Sequence, residues 1–408
     1  MSQRQPKCTK PVCSAQIRDV ILKVVQQHVP LAVAGGDPDD SWLWEILLYA
    51  SVNGTTIESA CNELRDAPSG NSTREYLQDA LDDRRQKVVA LEQQLNAALR
   101  AQWPKRITKR LARAQRFEIA MDLHDIPYHG QPSLNENEIR RGVAKSGTTH
   151  FHSYATLALV HNDRRYEVAL TFVWADETMA QVVERLLAAK NSLNLRVRRA
   201  YLDKGFCGES VFATLRAHRL SYIIPIPLRG KQLPDGTYVG GIGRLFIGPR
   251  SYDTRYTLNE GQPAEYTTEV ALARTYSRGR YGRHGATWFA YAVYGLEHIC
   301  PNPIFNLSRR RFGIESGYRQ LEQVRARTSS KSPALRLLLV GLALLILNTY
   351  MTLRRVWLTI PATTVNRSVT CGSRSSGSRS GWRACWNSYT SSVRSSTASR
   401  SKPETHFS

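Results

Sequence analysis

The stretch Phe117-Glu118-Ile119-Ala120-Met121-Asp122 decides how the chain is read. Before it, apolar residues recur at helical spacing. From Arg116 the pattern becomes a short apolar run ending on an acid, which predicts a strand. A loop follows, Asp125-Ile126-Pro127-Tyr128-His129-Gly130, then a polar, basic stretch over 135–145. Gly147 to Val160 and Arg165 to Trp174 alternate apolar and polar residues around the turn His161-Asn162-Asp163, predicting a β-hairpin. Between Glu177 and Leu193, residues Met179, Val182, Val183, Leu186, Leu187 and Ala189 make one apolar helical face. Val197 to Asp203 is a second strand ending on an acid, Glu209 to His218 a helix, and Ser221 to Pro227 a strand. The order β, hairpin, α, β, α, β predicts an α/β fold: a mixed sheet, parallel in its middle, flanked by helices.

Outward from this core, residues 1–115 read as a helical N-terminal domain. Val20, Ile21, Val24, Val25 and Val29 share a face, Trp42 to Val52 is an apolar helix, and Thr55 to Leu64 a shorter one. Thr56-Ile57-Glu58-Ser59-Ala60 is compatible with a helix-turn-helix, and a plain three-helix bundle fits equally. Arg74 to Ala114 predicts a long charged helix or helix pair, with Leu77, Leu81, Val88, Leu91, Leu95 and Leu99 on one face. The run Arg100, Lys105, Arg106, Lys109, Arg110, Arg113 has one sign of charge, which predicts phosphate contacts. Beyond the core, residues 228–304 are rich in Gly, Tyr, Thr and Arg and predict an antiparallel β-rich insertion. Its strands are expected at Arg244–Ile247, Tyr252–Thr257, Tyr266–Thr275 and Trp288–Tyr294. Gly240-Gly241-Ile242-Gly243 precedes neither a helical pattern nor Lys-Ser/Thr, so turns fit better than a phosphate loop. Residues 305–358 return to helix. Residues 359–408 form a basic tail, with 14 Ser, seven Arg or Lys and one Glu from 361 onward, and no packed structure is expected there.

The 408 residues carry 56 Lys and Arg against 34 Asp and Glu, a net charge of +22. That excess points to a polyanionic partner, above all nucleic acid. Seven Cys are too few for a disulfide scaffold, and the pair Cys8 and Cys13 has no second pair to complete a zinc site. No secretory pattern marks the first residues, so a cytoplasmic, nucleoid-associated location is expected. The apolar run Leu337 to Leu347 falls short of the about 20 residues of a membrane span. It predicts a buried helix and no membrane partner.

Three acids stand out by position: Asp122, Asp203 and Glu315. Neighbouring strands lie about 4.8 Å apart, so acids closing adjacent strands can converge on one pair of hard cations. Glu315 follows Arg309-Arg310-Arg311 and starts a helix that could bring a third carboxylate. Three carboxylates suit two Mg²⁺ ions about 3.5–4 Å apart, the arrangement that drives phosphodiester displacement. An acid in such a place also serves as a cap or turn residue, and Asp125 and Asp163 compete with Asp122 on position.

Ile119-Ala120-Met121-Asp122 with Ile126-Pro127-Tyr128-His129-Gly130 resembles the first catalytic block of insertion-sequence DDE transposases of the IS4-like group. Tyr201-Leu202-Asp203-Lys204-Gly205-Phe206 resembles the second, and Arg310-Arg311-Phe312-Gly313-Ile314-Glu315-Ser316-Gly317-Tyr318-Arg319 the third. The resemblance covers about 117–350. It implies an RNase H-like core with a β-rich insertion between the second Asp and the Glu. By that resemblance Asp122, Asp203 and Glu315 are catalytic and hold two Mg²⁺, with Mn²⁺ able to substitute. Arg311, Tyr318 and Arg319 would contact DNA near the cut, with Arg140, Arg141 and Lys145 as further contacts. The implied partners are double-stranded DNA, as terminal inverted repeats and target, with the helical domain 1–115 as the expected DNA-binding domain, and a second copy of the chain. Related transposases often carry Tyr where Ser308 stands and a basic residue where Glu322 stands. The expected function is cut-and-paste DNA transposition. The alternatives are an inactive or domesticated DNA-binding relative, and a metal-dependent nuclease without strand transfer.

Overall fold

The apolar run before Asp122 is only the first half of its strand. In the computed structural model, which describes residues 14–31, 41–161, 164–234, 236–278, 284–296, 298–312 and 321–358, β1 spans Phe117–Pro127. Asp122 therefore lies inside a strand and does not close one. The second half, Leu123 to Pro127, reads as polar loop because of His124 and Asp125. It is held extended by β3 (Thr148–His161), which pairs with β1 antiparallel from Glu118 opposite Val160 to Pro127 opposite Phe151. The basic stretch expected as loop also forms a strand, β2 (Arg140–Lys145), paired with the start of β3. β4 (Arg164–Val173) returns along the remainder of β3.

Helix α7 (Met179–Ser192) starts at a capping box, with Thr178 accepting from the Gln181 amide and Gln181 reciprocating. It leads to β5 (Val197–Leu202), parallel to β1. Helix α8 (Glu209–Ala217) leads to β6 (Tyr222–Pro225), parallel to β5. The expected crossover order is therefore present, and its parallel strands are β1, β5 and β6.

The insertion does not make a sheet of its own. After a small ladder of β7 (Lys231–Gln232) and β8 (Tyr238–Val239), the chain forms β9 (Tyr252–Leu258), β10 (Tyr266–Arg278) and β11 (His284–Tyr294). β11 pairs antiparallel with β6, Tyr291 opposite Pro225 through Tyr294 opposite Tyr222. A nine-stranded sheet results, in the order β2-β3-β1-β5-β6-β11-β10-β9, with β4 also on β3. The strand expected at Arg244–Ile247 is instead a 3-10 turn over Ile242–Leu245. Gly240 and Gly241, at φ of 75° and 56°, swing the chain so that Ile242 enters a small core with Val270, Leu272 and Ala290. Helix α9 (Pro301–Phe312) covers one face. Its Ile304 packs with Ala120, Tyr201, Ile223, Ala271, Tyr291 and Val293, so β1, β5 and β6 share one hydrophobic cluster with the insertion strands β10 and β11.

The edge of the sheet at β4 is covered by α5 (Arg85–Ala101). Asn96 donates to the Leu170 carbonyl at 3.0 Å and accepts from its amide at 2.7 Å, as a neighbouring strand would. One turn earlier, Glu92 accepts from the Thr171 hydroxyl at 2.8 Å and the Phe172 amide at 3.1 Å. Side chains one helical turn apart thus satisfy backbone groups that would otherwise template pairing with another chain. The short α6 (Lys105–Ala112) follows and carries most of the basic run.

These elements form one compact unit, 83–319 with 331–333; the helices before 83 and the C-terminal helix form another. In that second unit α1 (Ser14–His28), α2 (Ser41–Asn53), α3 (Ile57–Glu63) and α4 (Gly70–Ala80) succeed one another. The long helix or pair expected over 74–114 is thus α4, α5 and α6. A three-residue turn joins α2 and α3, with Gly54 at φ 58° and Thr56 capping α3 through the Ser59 amide. The seven residues of α3 include Glu58 and Glu63 and no Lys or Arg, and α4 carries Arg74. Among the described residues, the helical stretch expected over 305–358 holds α9 and α10 (Pro333–Leu358), with further helical residues at 321–323. By length and composition Pro333–Thr352 could cross a membrane, yet that window is buried almost throughout, as expected of a core helix.

Candidate active site

β1 and β5 run parallel with Met121 opposite Leu202, so the next residues in register are Asp122 and Asp203. The Asp203 amide donates to the Met121 carbonyl at 3.2 Å, extending the ladder by one bond past β5. Asp203 keeps an extended backbone, φ −73° and ψ 160°, and its carboxylate does not cap the 3-10 turn Lys204–Phe206 that follows. Side chains alternate along a strand. Asp122 therefore shares a face with Ala120, and Asp203 with Tyr201. Ala120 and Tyr201 lie in the cluster packed by Ile304 of α9. Two acids expected to act together thus stand on neighbouring strands, on the sheet face covered by the helix that leads toward Glu315.

Asp122 is only 2% exposed. Arg165, from the far side of the hairpin, pairs with its Oδ2 at 2.8 Å. The same guanidinium donates to Thr156 Oγ1 at 2.8 Å and to Glu167 Oε2 at 3.3 Å. Burial pushes the Glu167 carboxyl above the usual carboxylate range, and Arg165 opposes the shift. Neither Arg165 nor Glu167 belongs to a motif. Both arrive through β3–β4 pairing, and no local pattern marks them out in the sequence.

Asp125 has a different surrounding. Three residues after Asp122, it points to the other face by alternation. It accepts from Ser153 Oγ at 2.6 Å and lies 3.9 Å from Arg140. Lys145 Nζ donates to its carbonyl at 3.5 Å. The structure thus separates Asp125 from Asp122 as a β2–β3 tie, and the competing Asp163 lies outside the described residues.

Of the expected DNA contacts, Arg140 is half-buried, while Arg141 and Lys145 are exposed on β2. Arg311 belongs to the last turn of α9. Glu315, Tyr318 and Arg319 lie outside the described residues. Ser308, where related transposases often carry Tyr, is 1% exposed on α9, a site without room for a phenol ring unless its neighbours yield. Among the described residues, no three His, Cys, Asp or Glu side chains gather as a metal cluster. The two aspartates offer hard oxygen donors from adjacent strands, a donor set that fits Mg²⁺ or Mn²⁺ and not a soft metal.

The family model described as transposase DDE domain matches residues 113–349. Among solved structures, the piggyBac transposase, seen by cryo-EM in a synaptic complex with hairpin DNA, is similar at a TM-score of 0.50 and 10% identity. The match covers 99% of this chain and 86% of that one, and at such identity it shows the fold, with its RNase H-like core. No curated protein matches.

Proposed function

Since the chain belongs to the DDE transposase family, we propose that it cuts DNA at the ends of a mobile element and joins the freed ends to target DNA. In the first step water adds to phosphorus and the 3′-oxygen leaves, taking a proton. In the second, that 3′-hydroxyl adds to a target phosphorus and displaces another 3′-oxygen. The observation that carries this reading is the adjacency of Asp122 and Asp203 at the β1–β5 ladder end. Those two acids, with Glu315 from the segment after α9, would hold two Mg²⁺ ions, with Mn²⁺ as substitute. Bound there, the ions supply an activated attacking oxygen and stabilise the leaving one.

Arg165 is the positioning residue of this site. It holds Oδ2 of Asp122 through a charge-assisted bond and so fixes the carboxylate's orientation. Arg311, Tyr318 and Arg319 would grip DNA beside the cut, and Arg140, Arg141 and Lys145 would extend that grip. A homodimer would hold two element ends together and act on the cytoplasmic nucleoid.

The test is cleavage and strand transfer on duplexes carrying the element's flanking inverted repeats, with Mg²⁺ or Mn²⁺, comparing wild type with Asp203→Ala. Joined products from wild type alone support the reading, with a loss in the variant of roughly 10³-fold or more. Cut but unjoined ends would indicate a nuclease. Tight binding without cutting by either protein would indicate a relative that has kept only its DNA-binding surface.

A further inference from the structure

The acids stand where β5 ends; the start of the parallel strands has another character. Arg116 precedes β1, Arg196 and Arg198 bracket the first residue of β5, and Arg219 precedes β6. Pairing brings them together. The Phe117 amide donates to the Arg196 carbonyl at 2.8 Å, and the Ala200 amide to the Ser221 carbonyl at 2.8 Å. The basic helix α6 ends against the same corner, where the Arg110 guanidinium lies 5.1 Å from the Phe117 ring centre. Its exposed Lys109, and Arg113 just after it, join the four arginines.

All six cations are exposed, and none makes an ion pair among the described residues. Glu118, two residues after Arg116, is engaged by Arg199 at 3.4 Å, and Glu184 by His218, the neighbour of Arg219, at 2.9 Å. Protein surfaces ordinarily intersperse charges of both signs, because like charges held on a rigid frame repel. The absence of exposed large hydrophobic residues in these segments argues for a polyanion over a membrane surface. Seven residues of extended chain separate Arg196 from Asp203, roughly 20 Å, so the patch does not belong to the cutting site.

We propose that the corner formed by Lys109, Arg113, Arg116, Arg196, Arg198 and Arg219 is a second binding surface for the backbone of duplex DNA, remote from the acids. This rests on the reading of the chain as a DNA-acting protein and not on the chemistry at Asp122 and Asp203. The surface grips phosphates without reading bases. It adds affinity and leaves the rate of the chemical step alone.

The experiment uses the full chain and a labelled random-sequence duplex of about 30 base pairs, titrated by anisotropy over a range of salt. Wild type is compared with R196A/R198A/R219A and with a control of equal charge loss on the insertion, R229A/K231A/R250A. Each lost phosphate contact lowers the slope of log K against log salt by about 0.9, so the first triple should lose roughly 2 to 3 from its slope and bind about tenfold more weakly or worse. Single-turnover cleavage at saturating DNA should stay within about twofold of wild type. An unchanged slope would overturn the proposal. So would an equal loss in the control, which would make the effect one of net charge. Because binding of a random duplex is read apart from cleavage, a chain that never cuts still tests the surface. The single charge reversal R198E gives the same readout should the triple variant fold poorly.

Discussion

Two buried carboxylates in this protein are treated in opposite ways. Asp122, on β1, meets a full guanidinium charge at 2.8 Å. Glu92, on α5, meets a hydroxyl and a backbone amide, and burial pushes its carboxyl from the usual 4.5 to about 7, with Arg185 opposing. Burial disfavours the charged form of a carboxylate, and a cation held at hydrogen-bond distance opposes that loss more than a hydroxyl or an amide does. The Glu92 arrangement suits an edge cap that only needs an acceptor. The Asp122 arrangement ties a carboxylate inside the sheet to one fixed cation.

The largest effect expected within this comparison comes from removing the cation. Arg165→Ala leaves Asp122 buried without its counter-charge and should cost about 3–5 kcal/mol of unfolding free energy, measured by denaturant titration. Arg165→Lys should fall between, since Lys keeps the charge and loses the fork that also reaches Thr156 and Glu167. Equal stability of R165A and wild type would dissolve the contrast between the two acids.

At Glu92 the sign is reversed. Its folded pKa is raised, so the folded state holds an extra proton between pH 4.5 and about 7. The stability tied to that proton is fully present below pH 4.5 and is lost as pH rises through about 7. Glu92→Gln keeps an acceptor and removes the titration. Its unfolding free energy should match wild type near pH 4.5 and exceed it at pH 8, the difference growing to about 3 kcal/mol by linkage. A gap constant with pH would mean that Glu92 stays charged. The smallest effect concerns the neighbouring cap: Asn96→Ala should destabilise by about 1–3 kcal/mol by stripping both hydrogen bonds from Leu170, with no change in DNA cleavage.

Local pattern made much of this architecture legible. The hairpin, α7 with its capping box, β5, α8 and the apolar C-terminal helix all announce themselves by period. What escaped depends on partners distant in sequence. β1 continues through His124 and Asp125 because β3 is long enough to hold it, and β2 forms on the same partner. That the insertion's strands would join β6 follows from pairing, which composition does not encode. At the site, Asp122 and Asp203 could be picked out as acids after apolar runs. Arg165, 43 residues from Asp122, could not, because only the folded hairpin brings it there.

The continuity of the sheet also bears on mechanics. Between β1 and β9 every neighbouring pair of strands is laced by backbone hydrogen bonds, through the β6–β11 seam. Such a lattice is stiff to in-plane stretching and yields mainly by twist. A load applied at the insertion would therefore pass across the strands toward Asp203 and Asp122 as torsion. Hinged opening at the seam would first have to break the ladder from Tyr291 to Tyr294, so such a load would reach the acids as a change in sheet twist.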